Sequence, residues 1–164
     1  MQGGYFSYGL VAALAIALLI AAFTDLKRRQ IDNWLNLGIA LTAPLFWLST
    51  GLSLADIGWH LVVAVASFVA LFGLFAMNAM GGGDVKLLTA LALWLHPIWF
   101  LRMLMVMAVV GGVLTIGFAL WHFSRRRQGR VAIPYGVAIA AAGLWAIADQ
   151  YLPALHWATR IIGT

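Results

Sequence analysis

The chain has 164 residues, of which 64% are hydrophobic and only 9% carry charge. A soluble domain holds about a quarter charged residues, and so sparse a set cannot cover a water-facing surface, which excludes an ordinary soluble globular protein. The net charge of +5 implies no nucleic-acid partner, because in a membrane protein the distribution of Lys and Arg matters more than their sum. With no Cys and no Glu among these residues, thiolate chemistry is absent. Acid chemistry rests on Asp25, Asp32, Asp56, Asp84 and Asp149.

A helix that spans a bilayer needs about 20 mostly apolar residues. The first such run covers residues 5–23, and its positive charges follow it, unlike those of a signal peptide. The second covers 34–50 and the third 57–79. A shorter fourth run, 85–95, lies between Gly81-Gly82-Gly83-Asp84 and His96-Pro97. The fifth covers 98–123 and the sixth 131–148, and the tail after Pro153 is placed along the interface. Only helices and closed barrels satisfy their backbone in lipid, and these runs are too long for barrel strands. The expectation is one all-α membrane bundle over 1–164 with about six crossings, the fourth of them short.

The basic residues orient this bundle. Lys27, Arg28 and Arg29 follow the first run, Lys86 stands at the start of the fourth, and Arg125, Arg126, Arg127 and Arg130 precede the sixth. Only Arg102 and Arg160 fall on the other side. This alternation matches the positive-inside rule. It predicts an outer N-terminus, with loops 24–33, 80–86 and 124–130 in the cytoplasm. Contact with anionic membrane lipids accounts for the arginines as well.

The carboxylates differ in how easily a structural role explains them. Asp56 reads as helix capping, Asp149 as interfacial, and Asp32 as a cap for the second helix. Asp25 stands at the cytoplasmic end of the first helix, where the helix dipole disfavours a negative charge, with Arg28 and Arg29 as candidate partners. Asp84 closes a run of three glycines, which is expensive in backbone entropy unless the site needs a positive φ or a close backbone approach. The predicted topology brings Asp25 and Asp84 to the same membrane face. Two carboxylates sharing one proton can act together as base and acid.

These residues form a recognisable set. Gly81-Gly82-Gly83-Asp84-Val85-Lys86 resembles the GxGD motif of polytopic aspartyl proteases, in the form found in type IV prepilin peptidases. Asp25-Leu26 and Ile31-Asp32-Asn33-Trp34-Leu35 resemble that family's first catalytic segment, with Asp32 where the family usually has Pro. Ile133-Pro134-Tyr135-Gly136 is similar to a third segment near the last span. The resemblance implies that Asp25 and Asp84 are the catalytic pair. Gly81, Gly83, Lys86, Asn33, Pro134, Tyr135 and Gly136 would then shape the site or contact substrate. It implies an inner-membrane endopeptidase that removes a short basic leader from a prepilin at the cytoplasmic face, cutting just before the precursor's apolar helix, which lies in the membrane. Bifunctional members carry paired Cys-x-x-Cys sequences and also N-methylate. The lack of Cys therefore points to the short, peptidase-only branch associated with Flp-type (tight-adherence) pili. One tension is that a basic leader would meet a basic face.

Two other readings fit the same residues. One is a small proton- or ion-coupled transporter using Asp25 and Asp84, with the glycines marking an unwound helix. The other is a non-enzymatic assembly subunit. His60, His96, His122 and His156 lie near span ends without ligand spacing and read as interfacial anchors, so no metal or cofactor is expected. Trp47, Trp59, Trp94, Trp99, Trp121 and Trp157 read as aromatic belts. Asn78 reads as an interhelical hydrogen-bonding residue inside the third span, and 138–143 as a close-packing stretch.

Overall fold

The structure, a computed structural model, describes residues 4–124 and 135–151. The expectations for Pro134, for the arginines at 125–127, 130 and 160, for His156 and Trp157 and for the tail lie outside the described residues, as do those for the side chains of Trp121 and His122. Six helices follow one another: α1 (Tyr5–Arg28), α2 (Asn33–Thr50), α3 (Leu54–Ala76), α4 (Gly82–Ala92), α5 (Pro97–Ser124) and α6 (Tyr135–Tyr151). No strand occurs among the described residues. By length and composition α1, α3 and α5 can each cross a membrane. Val65, Val69, Val109 and Val113 are largely exposed on the outside of α3 and α5, where a soluble protein would carry charge. The chain is an all-α membrane helix bundle.

The short helix α4 is the post around which the others stand. Leu87, Leu88, Leu91 and Ala92 are fully buried, and α2, α3 and α6 all pack against this helix. On the other flank α6 packs along both α1 and α5. There Ala138, Ala140, Ala142 and Gly143 let the backbones approach; a Cβ on Gly143 would stand 3.0 Å from Leu18 Cδ1.

The far end of α4 is pinned by aromatic residues. Trp94 is buried, stacks on Phe46 at 5.0 Å between ring centroids, and donates Nε1–H to the Ile39 carbonyl at 2.8 Å. Trp47 donates to the Leu93 carbonyl at 2.8 Å, and the Tyr151 hydroxyl donates to the Trp94 carbonyl. Trp47 and Trp94 therefore belong to the core rather than to an interfacial belt. An 11-residue helix ends inside the bundle, so residues just past its end remain buried.

Several local expectations are corrected. Helix α1 runs through Asp25 to Arg28, so Asp25 lies in its last turn. At the start of α3 Ser53 is the cap, accepting from the Asp56 amide at 3.2 Å, while its hydroxyl donates to Asp56 Oδ2 at 2.7 Å. Asp56 thus stands in the first turn of α3 and supports the capping hydroxyl rather than capping the helix itself. His60 is buried and not interfacial, its Nδ1 2.8 Å from the Asp56 carbonyl oxygen. Helix α3 ends at Ala76, so Asn78 sits beyond it rather than inside it.

Candidate active site

The basic end of the bundle holds a cavity of about 710 Å³, lined by residues 29–33, by 78–84, and by Asp25 and Tyr135. Asp25 comes from the last turn of α1 and Asp84 from the first turn of α4. The chain reaches this arrangement through two left-handed residues. Arg29, at φ 54°, ends α1 by donating its amide to the Asp25 carbonyl at 2.8 Å. Asn78, at φ 57°, turns the chain after α3, its amide donating to the Phe75 carbonyl at 2.9 Å. Asn tolerates this region better than most residues.

The glycine run serves close approach rather than positive φ. Gly81 caps α4 with extended backbone, and Gly82 and Gly83 are already helical. A Cβ on Gly81 would lie 3.0 Å from Asp84 Oδ2. One on Gly82 would lie 3.2 Å from the Phe75 ring, and one on Gly83 would lie 3.2 Å from Ile31 Cβ. The run is thus a packed helix start, not an unwound segment.

Asp25 is buried, and its Oδ2 has no hydrogen-bond partner among the described residues. Arg28, one of its candidate partners, instead donates to Asp32 Oδ2 at 2.8 Å. Asp32 occupies the cap position of α2 without a side-chain capping bond, so its role as a side-chain cap is not realised. Burial works against a charged Asp25, and the groups that partly offset it are the first-turn amides of α6, at Gly136 and Val137, with Arg29 adding a weaker attraction. A helix N-terminus is a natural seat for an anion. It answers the unfavourable C-terminal end of α1 on which Asp25 stands. The fit is close, because a Cβ on Gly136 would lie 2.8 Å from both Cγ and Oδ2 of Asp25.

Asp84 is half-buried at the cavity edge. Burial pushes its carboxyl up to about 6, and the nearby Asp25 charge pushes the same way against a hydrogen bond from the Gly81 amide. Burial thus disfavours the charge of both aspartates, and at Asp25 the amides of a helix start partly offset it.

The remaining expected residues fall around this pair. Lys86 donates to Asn33 Oδ1 at 2.8 Å and so ties α4 to the start of α2. Tyr135 lines the cavity, its ring against Gly111 and its hydroxyl in a long 3.4 Å contact with Thr115. Sequence reasoning missed Ile31, which packs against both Gly83 and Gly136, and Asn36, whose Nδ2 donates to the Gly83 carbonyl at 3.3 Å. A polar residue two positions into an apolar stripe was the available signal for Asn36. Among the described residues no cluster of His or Asp suits a metal ion.

Residues 12–116 match the type IV leader peptidase family. The chain belongs to that family. It is 27% identical over 155 residues to a prepilin leader peptidase/N-methyltransferase of Xanthomonas campestris, covering 88% of this chain and 50% of the relative. It is 30% identical over 145 residues to one of Aeromonas hydrophila, covering 83% and 48%. For one of Stutzerimonas stutzeri the figures are 31% over 146 residues, covering 82% and 47%. The chain spans about half the length of these curated relatives. No solved structure matches it.

Proposed function

We propose that this leader peptidase family member is a membrane aspartyl endopeptidase. It removes a short basic leader from a prepilin-like precursor at the cytoplasmic face of the bacterial inner membrane, with its N-terminus outside. The observation that carries the reading is the pair of aspartates lining one cavity: Asp25 against the α6 amides, and Asp84, whose carboxyl burial and the Asp25 charge push up to about 6. Asp25, charged, takes a proton from a water whose oxygen attacks the scissile carbonyl. Asp84, protonated, gives its proton to the carbonyl oxygen. The tetrahedral adduct then collapses: its C–N bond breaks, the proton held by Asp25 passes to the departing nitrogen, and one hydroxyl of the adduct returns its proton to Asp84 as the carbonyl re-forms.

The cytoplasmic placement rests on Lys27, Arg28, Arg29 and Lys86, which lie in the segments that flank the cavity. Among the described residues the charged groups on the cavity wall are Asp25, Asp32, Asp84 and Arg29, which favours entry of a basic leader. A Flp-type pilin precursor is the substrate proposed, cleaved without methyl transfer.

The test is mass spectrometry of a prepilin incubated with the chain in proteoliposomes, with S-adenosylmethionine present. The expected product has lost its leader and gained no methyl group. An intact precursor would favour an ion-coupled carrier instead.

A further inference from the structure

The face of α4 opposite α6 is incompletely covered. Helices α2 and α3 both pack on α4 but not substantially on each other. The gap between them is a groove of about 370 Å³ with walls of Ala40, Phe68, Thr89, Ala90 and Leu93. The groove is open to the lipid side, since Leu37 on α2 and Phe68 on α3 are both exposed. Its mouth is formed by Asn33 and Lys86, and Asn33 also lines the aspartate cavity. The groove thus leads from the bilayer to the site.

We infer that this groove receives the apolar helix of the substrate, holding its first turn beside Asn36 so that the preceding extended residues cross Asn33 to reach Asp25 and Asp84. The inference rests on the peptidase reading above. Three observations favour a peptide helix over a lipid chain. First, the walls include small residues, Ala40 and Ala90, and the Thr89 hydroxyl is already occupied by the Val85 carbonyl at 2.8 Å. In lipid there is no hydrophobic drive between helices, so close van der Waals packing over small residues decides association. Second, Asn36 borders the groove, is 5% exposed, and its Oδ1 has no partner among the described residues. An acyl chain cannot supply a donor. A helix arriving with unpaired first-turn amides can. Third, the phenylalanines of α3 continue the groove towards the site: Phe68 stacks on Phe72 at 5.8 Å, Phe72 meets Phe75 at 6.0 Å, and Phe75 lies over Gly82.

Two substrates separate this inference from the reading beneath it: a full precursor, and a soluble peptide that spans the cut but lacks the apolar helix. Ala40→Trp fills the groove and is expected to lower the ratio of kcat/KM for precursor over peptide by about tenfold. Asp84→Asn abolishes cleavage of both. A photoreactive residue at Leu37 is expected to capture the precursor through the first turns of its apolar segment. An unchanged ratio in Ala40→Trp, or a Leu37 probe that captures only lipid, overturns the inference. Should the unmodified chain cleave neither substrate, the peptidase reading falls, and capture at Leu37 still decides the groove.

Discussion

Asp25→Asn and Asp84→Asn are each expected to slow leader removal by more than about 10³-fold, with the chain still folded. Each replacement is nearly isosteric. In Asp25→Asn the side-chain oxygen still faces the amides of Gly136 and Val137, so the junction of α1 with α6 persists, but the group can no longer accept a proton from water. In Asp84→Asn the Gly81 amide keeps its acceptor, but the carbonyl oxygen of the substrate loses its acid. Because the two act as one proton-sharing unit, the double variant should be little worse than either single one. Rates measured in proteoliposomes, beside thermal unfolding of each variant, check this. Retained cleavage in one variant removes that residue from the mechanism.

Gly136→Ala carries the second large effect. Its Cβ would stand 2.8 Å from Asp25 Cγ and Oδ2, and 2.9 Å from Ile31 Cδ1, closer than carbon and oxygen atoms pack. Asp25 is buried, so its carboxyl can yield only by turning away from the α6 amides. Misplacing a catalytic group by about 1 Å costs on the order of 10²-fold in rate, and that loss in kcat is the expected outcome. Gly143→Ala on the same helix is the control. Its Cβ meets Leu18 Cδ1 at 3.0 Å, far from the cavity, and is expected to alter unfolding temperature more than kcat. Equal kcat for the two variants would show that Gly136 serves packing alone.

The bundle and its charged end were legible because both depend on one-dimensional properties. Runs of apolar residues mark the helices, and Lys27, Arg28, Arg29 and Lys86 mark one face. The scarcity of acids made Asp25 and Asp84 easy to single out. What stayed hidden depends on which helix meets which. Gly81, Gly82 and Gly83 read as a loose break, yet Phe75 and Ile31 pack against the glycines that begin α4. Trp94 reads as a belt residue because it follows an apolar run, yet so short a helix ends within the core. The dipole conflict at Asp25 was visible, but its resolution by the start of α6 lies 111 positions further on, at Gly136.

The central claim is that Asp25 and Asp84 interact as one unit. Infrared difference spectroscopy on chain labelled with carbon-13 aspartate reads the protonated carboxyl band directly as pH is varied. Burial and the Asp25 charge both raise Asp84, so it keeps its proton until about pH 6 and loses it above. Cleavage should fall over the same interval as the acid is lost. The expected band titrates near pH 6, is missing in Asp84→Asn, and moves to lower pH in Asp25→Asn because the repelling charge is gone. A band at unchanged pH in Asp25→Asn would contradict it, since the two carboxyl groups would then titrate independently.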